Sequence, residues 1–284
     1  MTVRTLDSTL VADGFVYGEG PRWHDGKLWF TDMHADVVRT IDTDGVLGIG
    51  APAPHPSCIV WTPEGDLLTT SLHDAVLRRI TPDGPEMYCD LSDLGKPGAT
   101  LNDLVATPDG RVYADLYTDM STGGAPPGDI ALITPDGKAR SVATGLVTPN
   151  GLAVTPDGTT LIASETFGNR LNAWTIQGDG GLADHRVFAD LGERTPDGIC
   201  LDVEGAVWVG CTNTAEFIRV LDGGEITDRV TTDGSWAVAP ALGGPDMRTL
   251  YMVINETTFM GLATGDSKCR IETAHVEVAG AGSP

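Results

Sequence analysis

Six times along the chain a tight turn is followed at once by a short strand of alternating apolar residues. The turns are His24-Asp25-Gly26, Pro63-Glu64-Gly65, Pro108-Asp109-Gly110, Pro156-Asp157-Gly158, Val203-Glu204-Gly205 and Pro245-Asp246-Met247. The strands after them read KLWFTDM, DLLTTSL, RVYADLY, TTLIASE, AVWVGCT and RTLYMVI. The third turn positions are spaced by 39, 45, 48, 47 and 42 residues, so six units account for nearly all 284 residues. Asp-Gly and Glu-Gly supply the positive φ of a tight hairpin, and period-two alternation marks a strand with two differently packed faces. In the fourth unit GLAVT precedes the turn, TTLIASE follows it, and NRLNAWTI and HRVFAD complete a set of four strands. No run of ten or more residues carries a helical period. A sandwich or a solenoid would not require a four-strand repeat. The pattern predicts an all-β, six-bladed β-propeller of four-stranded blades.

The ends of the chain fit a closed ring. The sixth unit offers strands near residues 236–239, 249–255 and 270–278, one short of four. Residues 9–16 are expected to supply the missing outer strand and so remove an open edge. No linker composition interrupts the chain, which predicts a single domain over residues 1–284. The longest irregular insert, residues 118–128, reads as a surface loop or a site rim.

Charge and cysteine content exclude several function classes. With 18 basic residues against 40 acidic, four of the former being lysine, the net charge is −22. Nucleic acids and anionic membrane surfaces are poor partners for such a chain, since both are held by clustered Lys and Arg. No stretch approaches the roughly 18 apolar residues of a membrane helix, and the first residues lack a secretory pattern. The five cysteines are odd in number and form no CxxC pair, which predicts reduced thiols in a cytoplasmic protein. Oligomeric state is not written in these features.

Eight residues before the turn glycine stand Asn102, Asn150 and Asp197 in the third, fourth and fifth units. The first unit has a shorter turn, and seven residues back is Glu19. The second and sixth units offer Ser57 and Ser235. Innermost propeller strands start at the same rim, so these side chains are expected to face one another across the channel. Each alone reads as a turn residue. In register, two carboxylates and two amide carbonyls make an all-oxygen cage suited to a hard divalent cation, Ca²⁺ first, then Mg²⁺ or Mn²⁺. The six histidines show no HxxH or HExxH spacing, and neither a GxSxG elbow nor a Walker A loop is present. His34 is expected in solvent. Trp23, Trp29, Trp61, Trp174 and Trp208 are expected in the core between blades, and Trp236 as a pocket wall.

The segments Glu19-Gly-Pro-Arg-Trp, Asn102-Asp103, Thr148-Pro-Asn-Gly-Leu-Ala153, Pro196-Asp-Gly198 and Ala241-Leu-Gly-Gly-Pro-Asp246 resemble the SMP-30/gluconolactonase family, also called regucalcin-like or luciferin-regenerating-enzyme-like. The resemblance runs from about Asp13 to Val278. It implies a six-bladed propeller with one catalytic divalent cation at the channel mouth (Ca²⁺, Mg²⁺, Mn²⁺ or Zn²⁺) and hydrolysis of a small-molecule lactone. By that resemblance Glu19, Asn150 and Asp197 match metal ligands. Asp197 also matches the general base or nucleophile, and Asn102 matches an amide that contacts metal or substrate. Sugar-lactonase members usually carry an Arg where this chain has Thr100, beside Leu101, and a Glu where it has Asp119-Met120. Leu101, Tyr117, Met120 and Trp236 instead predict a less polar lactone or ester. Phosphotriester hydrolysis on the same cation and non-catalytic ligand binding are the alternatives.

Overall fold

A computed structural model of the chain describes residues 2–95, 97–118, 125 and 127–282. Six antiparallel sheets carry the repeat, each running from an inner to an outer strand. The inner strands are Gly18–His24, Pro56–Trp61, Ala99–Ala106, Pro149–Val154, Pro196–Leu201 and Trp236–Gly243, for blades 1 to 6 in order. Each packs against the inner strands of both flanking blades, the last against the first. The molecule is a six-bladed β-propeller.

The turns that mark the repeat have the expected local cause. In blade 3 the Gly110 amide donates to the Thr107 carbonyl at 2.9 Å, and Gly110 has φ 83°, a left-handed conformation that costs a glycine nothing. The Thr107 hydroxyl donates to the Asp109 carboxylate at 2.5 Å, which locks the turn from the side-chain direction.

Apolar faces of neighbouring blades bury each other. Between blades 2 and 3 lie Leu68, Leu77, Leu101, Leu104, Leu116 and Ile133, and between blades 4 and 5 lie Ile162, Leu171, Ile199, Val207 and Ile218. Each such side chain contributes about 1.5–3 kcal/mol by leaving water. Trp174 is buried between blades 3 and 4 and Trp208 between blades 5 and 6, as expected, whereas Trp23, Trp29 and Trp61 are only partly covered. Trp23 stacks on Tyr251 at 5.4 Å, and Trp29 meets Trp61 edge-on at 5.1 Å. All five cysteines are free and buried.

The N-terminal segment closes the ring twice. Thr9–Phe15 pairs antiparallel with Lys268–His275 as the fourth strand of blade 6, in the register Thr9↔Thr273. That closure was legible in the strand count. Arg4–Thr5 also adds in parallel to Ile226–Thr231, the outer strand of blade 5, with Arg4 Nε 2.5 Å from Asp228 Oδ1. No alternation over two residues announces such a strand. Blade 6 carries one further feature, the helix Phe259–Thr264 between its second strand, Thr249–Glu256, and its third. The Thr258 hydroxyl caps it by accepting from the Gly261 amide at 3.0 Å, and Gly265 ends it at φ 75°. Six residues are too few for a helical period to show in the sequence.

Candidate metal and substrate site at the channel mouth

Glu19, Asn102, Asn150 and Asp197 line one cavity of about 290 Å³ at the start of the inner strands. A backbone irregularity shared by blades 1 to 5 lies at or just after these positions. In blade 3, Leu101 pairs with Leu116 and Leu104 with Ala114, so Asn102 and Asp103 together oppose Asp115 alone. The same two-against-one pairing sets Ser57-Cys58 opposite Thr70, Asn150-Gly151 opposite Ser164, and Asp197-Gly198 opposite Gly210. In blade 1 the extra residue falls just after Glu19. A β-bulge of this kind bends the strand and re-aims the side chain at its first residue. The bulged backbone groups are then served by the residue opposite. Asp115 Oδ1 accepts from the Asn102 and Asp103 amides, both at 2.8 Å. Thr70 Oγ1 accepts from the Cys58 amide at 3.0 Å, whereas Ser164 Oγ reaches across to the next blade and donates to the Asp197 carbonyl at 2.8 Å.

Glycine after the donor lets the inner strands approach. A Cβ on Gly151 would stand 2.6 Å from the Asp197 carbonyl oxygen, and one on Gly198 would stand 2.4 Å from Ala239 Cβ. These contacts are far inside van der Waals distance, so the Asn150-Gly151 and Asp197-Gly198 pairs, which read as turns in the sequence, serve strand packing instead.

The site is electrostatically loaded. Asp197 is pushed up to about 7, first by burial and then by the charge of Asp103, against hydrogen bonds from Asn150 and the Gly198 amide. Its Oδ1 is buried without a hydrogen-bond partner. Glu19 is raised well above the usual carboxylate range by desolvation and by Asp197, although its Oε2 accepts from the Gly20 amide at 2.9 Å. Tyr17, on the same wall, is raised by desolvation and then by these two carboxylates. Beneath the floor, Arg22 Nη2 donates to Asp103 Oδ1 at 2.9 Å and to the Leu104 carbonyl at 2.8 Å, while Asp103 Oδ2 accepts from the Leu152 amide at 3.0 Å. That buried pair ties blades 1, 3 and 4 together under the donors.

Not every expected site residue reaches the cavity. Ser57 Oγ donates to the Asn102 carbonyl at 3.0 Å and so supports blade 3 rather than lining the cavity. Ser235 turns to Asp233 and Arg270. Tyr117 and Trp236 do line the cavity, Thr100 and Leu101 do not. Leu101 faces the apolar seam of blades 2 and 3, because its neighbour Asn102 takes the channel side. Asp119 and Met120 lie outside the described residues. His34, expected in solvent, is half-buried, with Nε2 2.7 Å from the Leu262 carbonyl oxygen and its ring 4.8 Å from that of His55.

Sequence reasoning missed much of the wall. Met33, Leu72, Tyr117 and Thr212 all line the cavity and all stand seven residues after a turn glycine. Counting forward from the turns, as well as back, would have found three of them beside Tyr117. Phe259 and Leu262 come from the blade 6 helix and have no counterpart in the repeat. Phe259 meets Trp236 edge-on at 5.0 Å.

Known proteins share this architecture. A 6-deoxy-6-sulfogluconolactonase of Pseudomonas putida is 25% identical over 244 residues, covering 84% of this chain and 82% of that protein. A regucalcin of Xenopus laevis is 24% identical over 254 residues, covering 86% and 84%. The crystal structure of a calcium-binding protein, regucalcin, from Agrobacterium tumefaciens superposes with a TM-score of 0.81 at 23% identity, covering 100% of this chain and 98% of that one. Residues 17–255 match the model of the SMP-30/Gluconolactonase/LRE-like region.

Proposed function

As the chain belongs to the SMP-30/gluconolactonase/LRE-like family, we propose that its channel-mouth site hydrolyses lactones with the help of one divalent cation. The observation that carries this reading is the convergence of Glu19, Asp197, Asn102 and Asn150 on one cavity, with Asp197 Oδ1 buried and unpartnered. Two desolvated carboxylates whose proton affinities are both raised, Glu19 by burial and the charge of Asp197, and Asp197 by burial and the charge of Asp103, need either protons or a cation. The donor set is all oxygen, which suits Ca²⁺ before Mg²⁺ or Mn²⁺, with Zn²⁺ less matched. Glu19, Asn150 and Asp197 would hold the ion, with Asn102 beside them. When bound, such a cation supplies Lewis-acid polarisation of a lactone carbonyl and stabilises the negative charge that develops on its oxygen.

The chain's own residues would do the rest. Asp197 takes the proton of the attacking water and passes it to the ring oxygen as the acyl C–O bond breaks, or attacks the carbonyl itself, expels the ring oxygen and is released by water. The Asn150 amide, beside Asp197, favours its charged form. Asn102 donates from Nδ2 to Asn150 Oδ1 at 3.2 Å and orients that amide in turn. Tyr17, Tyr117 and Trp236 form an apolar wall against the substrate ring. Lactonase names among the relatives support the reaction class, and the regucalcin names support a divalent cation. The five free, buried thiols favour a reducing compartment such as the cytoplasm.

Turnover of a panel of lactones, aryl esters and phosphotriesters, with and without a chelator, tests the proposal. Chelator-sensitive lactone hydrolysis is the expected result. Preferential turnover of phosphotriesters would reassign the substrate on the same site. Metal-dependent binding without turnover of any of the three would make the propeller a binding module.

A further inference from the structure

The cavity lining combines two chemistries. Beside the oxygen donors it holds the apolar side chains of Met33, Leu72, Trp236, Phe259 and Leu262. Among the described residues that line the cavity there is no Lys, Arg or His. The arginines nearest to it in sequence are committed elsewhere. Arg22 is buried against Asp103, Arg170 lies 2.8 Å from Glu165, and Arg194 lies 2.9 Å from Glu216. Residues 119–126 read Asp-Met-Ser-Thr-Gly-Gly-Ala-Pro and contain no cation. At the mouth, Phe259 is 61% exposed and Met260 71%, an unusual place for two large apolar side chains unless a ligand covers one of them.

Resting on the lactonase reading above, we propose that this site selects uncharged lactones bearing an apolar substituent, which seats against the joined rings of Trp236 and Phe259. A carboxylate, sulfonate or phosphate on that substituent would lose its water against an apolar wall that offers no counter-charge. A divalent cation at the donors is balanced by Glu19 and Asp197, so it leaves no surplus positive charge for a second anion. The net charge of −22 adds a long-range repulsion of anions in low salt. An alkyl or aryl group, by contrast, gains from leaving water at the same wall.

The test compares two six-membered lactones that differ only in a pentyl or a carboxybutyl substituent. The pentyl compound should have the higher kcat/KM by roughly 10-fold or more, since the carboxylate loses part of its water at the mouth and gains no counter-charge. Ratios within about threefold in low salt would overturn the proposal. Phe259→Arg should raise the relative kcat/KM of the carboxybutyl lactone at least tenfold. An unmoved ratio in that variant would show that the substituent lies elsewhere. Lys96 is the one side-chain cation outside the described residues, and Lys96→Gln should leave the ratio unchanged. A selectivity that depends on Lys96 would overturn the claim that the wall carries no cation. The corresponding lactams, which resist hydrolysis, separate this inference from the lactonase reading. Calorimetric binding of the pentyl lactam and not the carboxybutyl lactam supports charge selection even where neither lactone is hydrolysed, while equal or absent binding of both overturns it.

Discussion

Asn102 donates its side-chain amide to Oδ1 of Asn150 across the junction of blades 3 and 4, at 3.2 Å. Asn150 in turn faces Asp197 and favours its charged form, so side chains of three blades converge beside a carboxylate whose Oδ1 has no partner. The Asn150 amide is thereby oriented by its neighbour before any ligand arrives. Losing one member should disturb the others more than its own contact alone would.

Asp197→Asn separates ligand from base. An asparagine keeps an oxygen for the cation but cannot take a proton. Activity should fall by about 10²–10⁴-fold at saturating metal. Glu19→Gln removes the same charge from the same cage, and added metal should restore much more of its activity. Equal rescue of both variants in metal titrations of kcat would assign Asp197 to binding alone.

Asp115 offers a test of the bulge. It is fully buried, and its Oδ1 alone serves the Asn102 and Asp103 amides. Asp115→Ala leaves two buried N–H groups without an acceptor and should cost about 2–5 kcal/mol, read as a lower urea midpoint. Asp115→Asn keeps a carbonyl oxygen at that position and should cost far less. A small loss in both variants would mean that water replaces the carboxylate.

Stability should respond to acid through His55. Burial first, then His73 and His34, lower its proton affinity to a pKa of about 4, against 6.5 unperturbed. Between those values the unfolded chain binds the proton that the folded one refuses. Stability is therefore lost as pH falls from 6.5 towards 4, and this group contributes nothing to the pH dependence above 6.5. Melting temperatures across pH 7 to 5 should fall in the wild type and fall less in His55→Gln. Parallel curves for the two would place the acid sensitivity elsewhere.

Two truncations distinguish the closures made by the N-terminus. Removal of residues 2–6 takes away the two-residue parallel strand and the bridge from the half-exposed Arg4 to Asp228, which is worth at most about 1 kcal/mol. Removal of residues 2–16 strips the outer strand from Lys268–His275 and leaves its backbone unpaired. The longer deletion should aggregate, seen by light scattering, while the shorter should remain monodisperse with a slightly lower melting temperature.

The repeat made most of the fold legible, because hairpin turns and period-two strands are local and recur in phase. The phase also located Glu19, Asn102, Asn150 and Asp197 on one cavity wall. It could not show that Ser57 and Ser235 are used as scaffold, since a hydroxyl has many partners and only the tertiary neighbours decide which one it takes. Leu101 was misjudged because adjacency in a strand puts neighbours on opposite faces. Arg4–Thr5 and the helix at Phe259–Thr264 are too short to carry a period, and the Arg22–Asp103 pair joins residues far apart in the chain. None of these leaves a local signal.

The double closure has a consequence for how the molecule is made. Contacts from Arg4 to Asp228 and from Ser8 to Glu272 span 224 and 264 positions of the chain. During synthesis residues 4–15 must wait unpaired until residues 226–275 appear, while the blades between them condense on local hairpins. Native pairing of the ends is thus a late, high-contact-order event that carries a large loop-closure entropy. A circular permutant that begins at residue 17 and carries residues 2–16 after residue 282 would turn that wait into a neighbouring hairpin, and should refold faster with the same blades in the same order.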